Sequence, residues 1–193
     1  MATKKNFSAN SEYTLFLKDF IGSSGVTIRQ LSELIDVSTV SIQHWFTIGD
    51  IRLSRLLSVA DALGYDLEIA VDKKPSLNQE EPAYYKFSDI RKLSLKNLHF
   101  LSCAFKESGI TKKEAAERMG VTRDAVTYWF VRDDITIRNL CAVANALDRD
   151  VFIRFEKKIT LNETPKGTVA IHSSIVKRSV NYIENPAVEK TAE

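Results

Sequence analysis

Gln43 and His44 stand directly before the pair Trp45-Phe46, and Thr127 and Tyr128 stand directly before Trp129-Phe130. A turn upstream lie Thr39 and Val40 in the first stretch, and Arg123 and Asp124 in the second. An amide that donates and accepts, a guanidinium fork and small hydroxyls are groups that read the edge of another molecule. They are not a bond-making set. The chain has no phosphate-cradling glycine loop, no His/Cys metal spacing and no nucleophile whose partner spacing would identify. It is therefore expected to be no enzyme and to need no cofactor and no metal.

The two stretches, "VSTVSIQHWF" from Val37 and "VTRDAVTYWF" from Val121, are 84 positions apart. The same shift lays Phe16-Leu17 on Phe100-Leu101, Ser24-Gly25 on Ser108-Gly109 and Asp50-Ile51 on Asp134-Ile135. Roughly 20 of about 60 aligned positions are identical without an insertion, which predicts two copies of one unit. The ends of the stretch are shared, as a scaffold requires, while the middles differ.

Each copy carries the same order of signals. Tyr13, Phe16, Leu17 and Phe20 fall at helical spacing, closed by Gly22 and Gly25. Thr27 with Gln30, and Thr111 with Glu114, have the spacing of a capping box. Ser38 and Thr122 suit an N-cap. Leu53, Leu56, Leu57, Ala60 and Leu63 share one helical face with Gly64 as the stop, matched by Ile137, Leu140, Cys141, Ala144 and Leu147. The period then changes to two, with Leu67, Ile69 and Val71 alternating in one copy and Val151, Ile153 and Phe155 in the other. Four helices and a strand are expected in each.

A tight crossing of the second and third helices needs a small residue, supplied by Ser32 and Ala116, and an apolar plug for the turn, supplied by Val37 and Val121. Ile42 with Trp45, and Val126 with Trp129, would anchor the inner face of the third helix. On these residues, "VTIRQLSELIDVSTVSIQHWF" and "ITKKEAAERMGVTRDAVTYWF" resemble the helix-turn-helix of the Cro and phage-repressor (XRE) family. "LLSVADALG" and "LCAVANALD" resemble its following helix. The resemblance covers about residues 13–72 and 97–156. It implies a mainly α protein with two tandem lambda-repressor-like domains. It also implies a third helix that enters the major groove of double-stranded DNA. The pattern departs from the family at Ile28 and Lys112, where a Gln is common, and at Phe46 and Phe130, where an acid is common.

On that reading Thr39, Val40, Gln43, His44, Arg123, Asp124, Thr127 and Tyr128 are the base-reading candidates. Gln43 suits adenine, Arg123 suits guanine, and Thr39 or Val40 can touch a thymine methyl. Ser38, Thr47, Lys112, Lys113, Thr122 and Arg132 are the phosphate candidates. The charge is uneven: residues 99–158 hold 11 basic and 9 acidic side chains, residues 15–74 hold 6 and 8. Since Lys and Arg near phosphates supply most DNA affinity, the second copy is expected to be the stronger binder. Trp45 and Trp129 are expected to pack inward and His44 to stand at the surface. Phe46 and Phe130 face either a partner or the next helix.

The expected divisions are 11–74 and 89–158 for the two helix-turn-helix domains and 75–88 for a linker. The remainder, 159–193, is a tail with one added strand followed by disorder. The linker could reach about 50 Å at ~3.3 Å per residue, enough for half-sites one helical turn apart. Each strand needs a partner edge. Three remain open: the other copy's strand, a strand of a second chain giving a homodimer, or the tail's "TVAIHSSIV". The formal charge of +2 and 44% hydrophobic content fit an ordinary soluble chain. No stretch is apolar enough to span a membrane and no secretory signal opens the chain, so a cytoplasmic protein of a bacterium or phage is expected, on the nucleoid when bound. Cys103 and Cys141 are expected reduced. The leading function is a transcriptional regulator, a repressor acting as a covalent pseudo-dimer on dissimilar half-sites. The rival is a protein-interaction or antitoxin-like module.

Overall fold

A computed structural model describes residues 12–73, 82–92, 96–158 and 168–172. The first run holds α1 (Glu12–Ser23), α2 (Ile28–Ile35), α3 (Thr39–Ile48), α4 (Leu53–Ala62) and β1 (Tyr65–Asp72). After β2 (Tyr85–Lys86) and the short α5 (Phe87–Lys92) the order recurs. It continues with α6 (His99–Ser108), α7 (Lys112–Met119), α8 (Arg123–Arg132), α9 (Ile137–Ala146) and β3 (Asp150–Lys157), with β4 (Thr168–His172) last. The bounds of α7, α8 and α9 stand 84 positions after those of α2, α3 and α4.

The local signals explain the helix starts. Thr27 and Thr111 each accept the N–H three residues on, while the Gln30 and Glu114 side chains return to the cap's own N–H at 2.9 and 2.8 Å. Each box satisfies two donors that a helix start would otherwise leave unpaired. Ser38 and Thr122 cap α3 and α8 by accepting from Ser41 and Ala125. Gly120 ends α7 in the left-handed region; Asp36 takes that conformation after α2, one of the few non-glycine types that tolerates it.

The strands form one antiparallel sheet in the order β2-β1-β3-β4. β1 therefore pairs with β3 on one edge and with β2 on the other, and part of the tail stretch adds β4 to the far edge of β3. At the middle of the β1–β3 ladder Ile69 faces Ile153, which stands 84 positions after it. A second junction has the same property. Arg52 bridges Thr136, also 84 positions on, with Leu53 N–H donating to Ile135 O at 2.8 Å and Ile137 N–H to Ile51 O at 2.9 Å. Side chains reinforce it reciprocally: Asp134 accepts from the N–H and hydroxyl of Ser54, and Asp50 accepts from the N–H of Arg138.

Packing across these junctions makes one continuous core. Phe155 of β3 is fully buried and stacks on Phe20 of α1 at 4.0 Å between ring centres, while α6 packs against β1. β1 and β3 thus each cover helices from both runs. The expectation that only alternate strand residues are buried needs correction. Leu67, Ile69 and Val71 are buried, and so are Glu68 and Ala70 on the opposite face.

Glu68 is tolerated there because Arg154 donates both Nε and Nη2 to one of its oxygens, at 2.8 and 2.6 Å. Lys86 joins the cluster by donating to Glu156 at 2.6 Å. Burial pushes the Glu68 carboxyl above its ordinary range. The hydrogen bond between Lys86 and Glu156 raises the ammonium and lowers the carboxyl. These ions join β1, β2 and β3.

Three further expectations change. The end of the stretch read as linker is folded: Tyr85 and Lys86 form β2, and Phe87 is 2% exposed in the core. Helix α1 continues through Gly22 to Ser23. Val121 does not plug its turn, being 39% exposed, whereas Val37 is half-buried against the core. Residues 74–81 and 159–167, and the tail after His172, lie outside the described residues.

Candidate nucleic-acid interface

A three-residue turn, Asp36 to Ser38, joins α2 to α3, and Gly120 to Thr122 joins α7 to α8. The second helix of each pair is anchored by a single fully buried residue, Ile42 in α3 and Val126 in α8. Trp45 and Trp129 are half-buried against the core on the same side, as their spacing from those residues predicts. Phe46 and Phe130 also pack on the core. Phe130 meets Phe105 of α6 edge-on at 5.8 Å, an inward placement against the helix that opens its run and not the next helix that the sequence suggested.

Anchoring one side of a helix leaves the other to solvent. On α3, Val40 is 72% exposed, Gln43 and His44 are exposed, and Thr39 is half-buried. On α8, Arg123, Asp124 and Thr127 are exposed, and Tyr128 is 53% exposed. Arg123 has no side-chain partner among the described residues. Val131, 73% exposed on α8, was not singled out by the sequence.

The phosphate candidates divide by how they are held. Lys112 lies with its Nζ 3.8 Å over the Phe130 ring, fixed at the start of α7. The Arg132 guanidinium lies 5.3 Å from the Tyr128 ring, so the exposed end of α8 carries a paired cation and aromatic. Lys113 is exposed and 4.0 Å from Glu117, a surface pair of small energetic weight. The Ser38 hydroxyl sits 2.9 Å from that of Ser41. Thr122 accepts an N–H and keeps its own proton to donate outward. Thr47 is committed to its own helix, donating to Gln43 O at 3.1 Å.

A cleft of about 480 Å³ adjoins the exposed face of α3, running from His44 and Ile48 past Arg52 and Arg55 to Thr136. Its arginines were missed because Arg52 and Thr136 meet only in the fold. The one sequence signal was their place between the α3 stretch and the apolar face of α4. Cys141 is buried, and burial raises its thiol to about 12; Cys103 is half-buried. No group of three or more His, Cys, Asp or Glu able to hold a metal occurs among the described residues. Nor, among them, is any helix long and apolar enough to cross a membrane.

Residues 103–152 match a family model described as helix-turn-helix, a family of DNA-binding regulators. The matched span contains α7, α8 and α9 whole, and the first run of helices shows no such match. No curated protein and no solved structure matches the chain.

Proposed function

From that match, we propose that the chain is a sequence-specific DNA-binding regulator whose two helical runs are tandem domains acting as a covalent pseudo-dimer. The observation that carries this reading is the pair of self-matching junctions, Ile69 with Ile153 and Arg52 with Thr136. A contact that pairs each element with its own equivalent is the signature of a twofold interface. Such an axis would present α3 and α8 as two reading helices, as half-sites on a duplex require. Their unlike exposed faces favour two dissimilar half-sites. The mechanism proposed is steric repression: occupying a promoter without chemistry, in the cytoplasm.

The base readers are those given above, Gln43 for adenine and Arg123 for guanine, with Thr39, Val40, His44, Asp124, Thr127 and Tyr128 around them. Lys112, Lys113, Arg132, Ser38, Thr122 and, more weakly, Thr47 would face phosphates.

Selecting bound duplexes from a random library at near-physiological salt tests the reading. Two different half-sites spaced by about one helical turn, about 34 Å, are expected. One half-site alone would refute the pseudo-dimer, and no enrichment would refute DNA reading.

One observation favours a second role for α3. It has no Lys or Arg and exposes Val40 and Ile48, a face that fits a protein partner as well as a thymine methyl. Loss of the first half-site in the selection would favour that role, the protein-interaction or antitoxin-like reading.

A further inference from the structure

A junction that pairs each element with its own equivalent can form in two ways. The edge that meets its counterpart within this chain also has the shape to meet its own copy in a second chain. The β1–β3 ladder turns about Ile69 and Ile153, so two β1 strands of different chains could pair about Ile69 in the same register.

The helix-facing side of the ladder does not discriminate between these pairings. It sets Leu67 on Phe155, Ile69 on Ile153 and Val71 on Val151. Paired like with like, it would set Leu67 on Val71, or Val151 on Phe155, again apolar on apolar. The Arg52–Thr136 junction is equally permissive, since Asp50 and Asp134 stand at equivalent positions and both accept main-chain N–H groups there.

The opposite side of the ladder does discriminate. There Glu68 faces Arg154 and Ala70 faces Phe152. Phe152 stands 84 positions after Glu68, and Arg154 stands 84 after Ala70. The ladder between the runs thus matches acid with base and small with large, as cross-strand neighbours require. Two β1 strands would instead set Glu68 against Ala70 twice, each carboxylate without Arg154 and each Ala70 without a ring across from it. Lys86, 3.7 Å from the second Glu68 oxygen, is beyond hydrogen-bond distance and donates to Glu156. Two β3 strands would set Arg154 against Phe152 twice and bring two guanidiniums together without Glu68. Glu68, Ala70 and Phe152 are buried, so water does not repair either mismatch.

We infer that Glu68, Ala70, Phe152 and Arg154 select the partner strand: the β1 edge accepts β3 and rejects the β1 of a second copy. Specificity of this kind comes from stranding a buried charge in the wrong pairing as much as from satisfying it in the right one. On the two-half-site reading above, α3 is thereby always joined to α8, and a like pair of half-sites is never offered. The choice of strand does not itself depend on that reading.

The test uses the full chain, refolded from denaturant and weighed by light scattering. Glu68→Arg sets two guanidiniums across the ladder of one chain, and Arg154→Glu sets two carboxylates. Refolded separately, each should have a lower denaturation midpoint than the wild type. Refolded together, they offer opposite charges only between chains. A 1:1 two-chain species should then appear that neither gives alone, even where neither folds by itself. A second variant separates selection from simple stability. Ile69→Cys puts a thiol at the centre of the ladder, where only a β1–β1 pairing brings two such thiols together. Refolded at high concentration and oxidised, the otherwise unaltered chain should give little cross-link at position 69. Adding Glu68→Gln and Arg154→Gln should raise it several-fold. Unchanged midpoints, no two-chain species on mixing, or equal cross-linking with and without the ion pair overturns the inference. None of these outcomes touches the half-site reading, which the duplex selection tests.

Discussion

Helices α3 and α8 are equal in length, start on a hydroxyl cap and bury one residue completely, yet their exposed faces have little in common. On α8 there are Arg123, Asp124, Tyr128 and Arg132, with Lys112 held close by on Phe130. On α3 there is no Lys, Arg, Asp or Glu, only Val40, Gln43, His44 and small hydroxyls between apolar residues. The buried positions are fixed by packing, where a change in volume is felt at once. The exposed ones answer only to what binds there. The comparison teaches that one scaffold can hold two surfaces of different chemistry, and that the first run carries exposed cations off α3, at Lys18, Arg29, Arg52 and Arg55.

The largest test of the comparison asks whether the two runs are separable. Phe155→Ala should cost about 3–5 kcal/mol in chemical denaturation, the range for a buried aromatic. Because Phe155 stacks on Phe20, amide exchange should quicken in α1 as well as in β3. Loss confined to the second run would mean two independent cores.

Next come the reading faces. Arg123→Ala should lose about 1–3 kcal/mol of specific binding and relax selectivity at one base pair of one half-site. Gln43→Ala should do the same at the other half-site, nearer the lower end of that range. If Gln43→Ala changes neither affinity nor selectivity, α3 does not read bases. Smaller again, Lys112→Ala should weaken binding to all sequences alike and make the salt slope shallower by about one.

The finest contrast lies in the two capping boxes. The Thr111 N–H holds the exposed Glu114 carboxyl below its ordinary value of 4.5. A lowered carboxyl stabilises the fold above that ordinary value, and the contribution is lost as pH falls through the lowered one. Gln30 does not titrate. The Thr111 amide resonance should shift with an acid midpoint below 4.5 while that of Thr27 stays still. Equal shifts in both would show that the titrating group lies elsewhere.

These contrasts mark what the sequence made legible. The capping boxes, the helix order and the buried faces of α4 and α9 are local patterns, set by residues three or four apart. Val121 was expected to plug its turn as an apolar residue there should, but the two turns expose that position differently, and only Val37 packs against the core. Both strand faces proved buried because Glu68 finds Arg154 and Lys86 on neighbouring strands, pairings that alternation along one strand cannot reveal. The cleft arginines were hidden for the same reason. Charge counted along the chain placed the first run at a deficit, and only the fold sets Arg52 and Arg55 beside His44.

The placement of Phe155 on α1 also bears on how the chain reaches its native state. The ladder centred on Ile69 and Ile153 joins residues 84 apart, and the ring that covers Phe20 is near the end of the second run. Contacts of such separation must await closure of a long loop, which slows the final step of folding. During synthesis the first run would leave the ribosome with α1 uncovered until β3 follows. Its completed core is therefore a late event, timed by the second run.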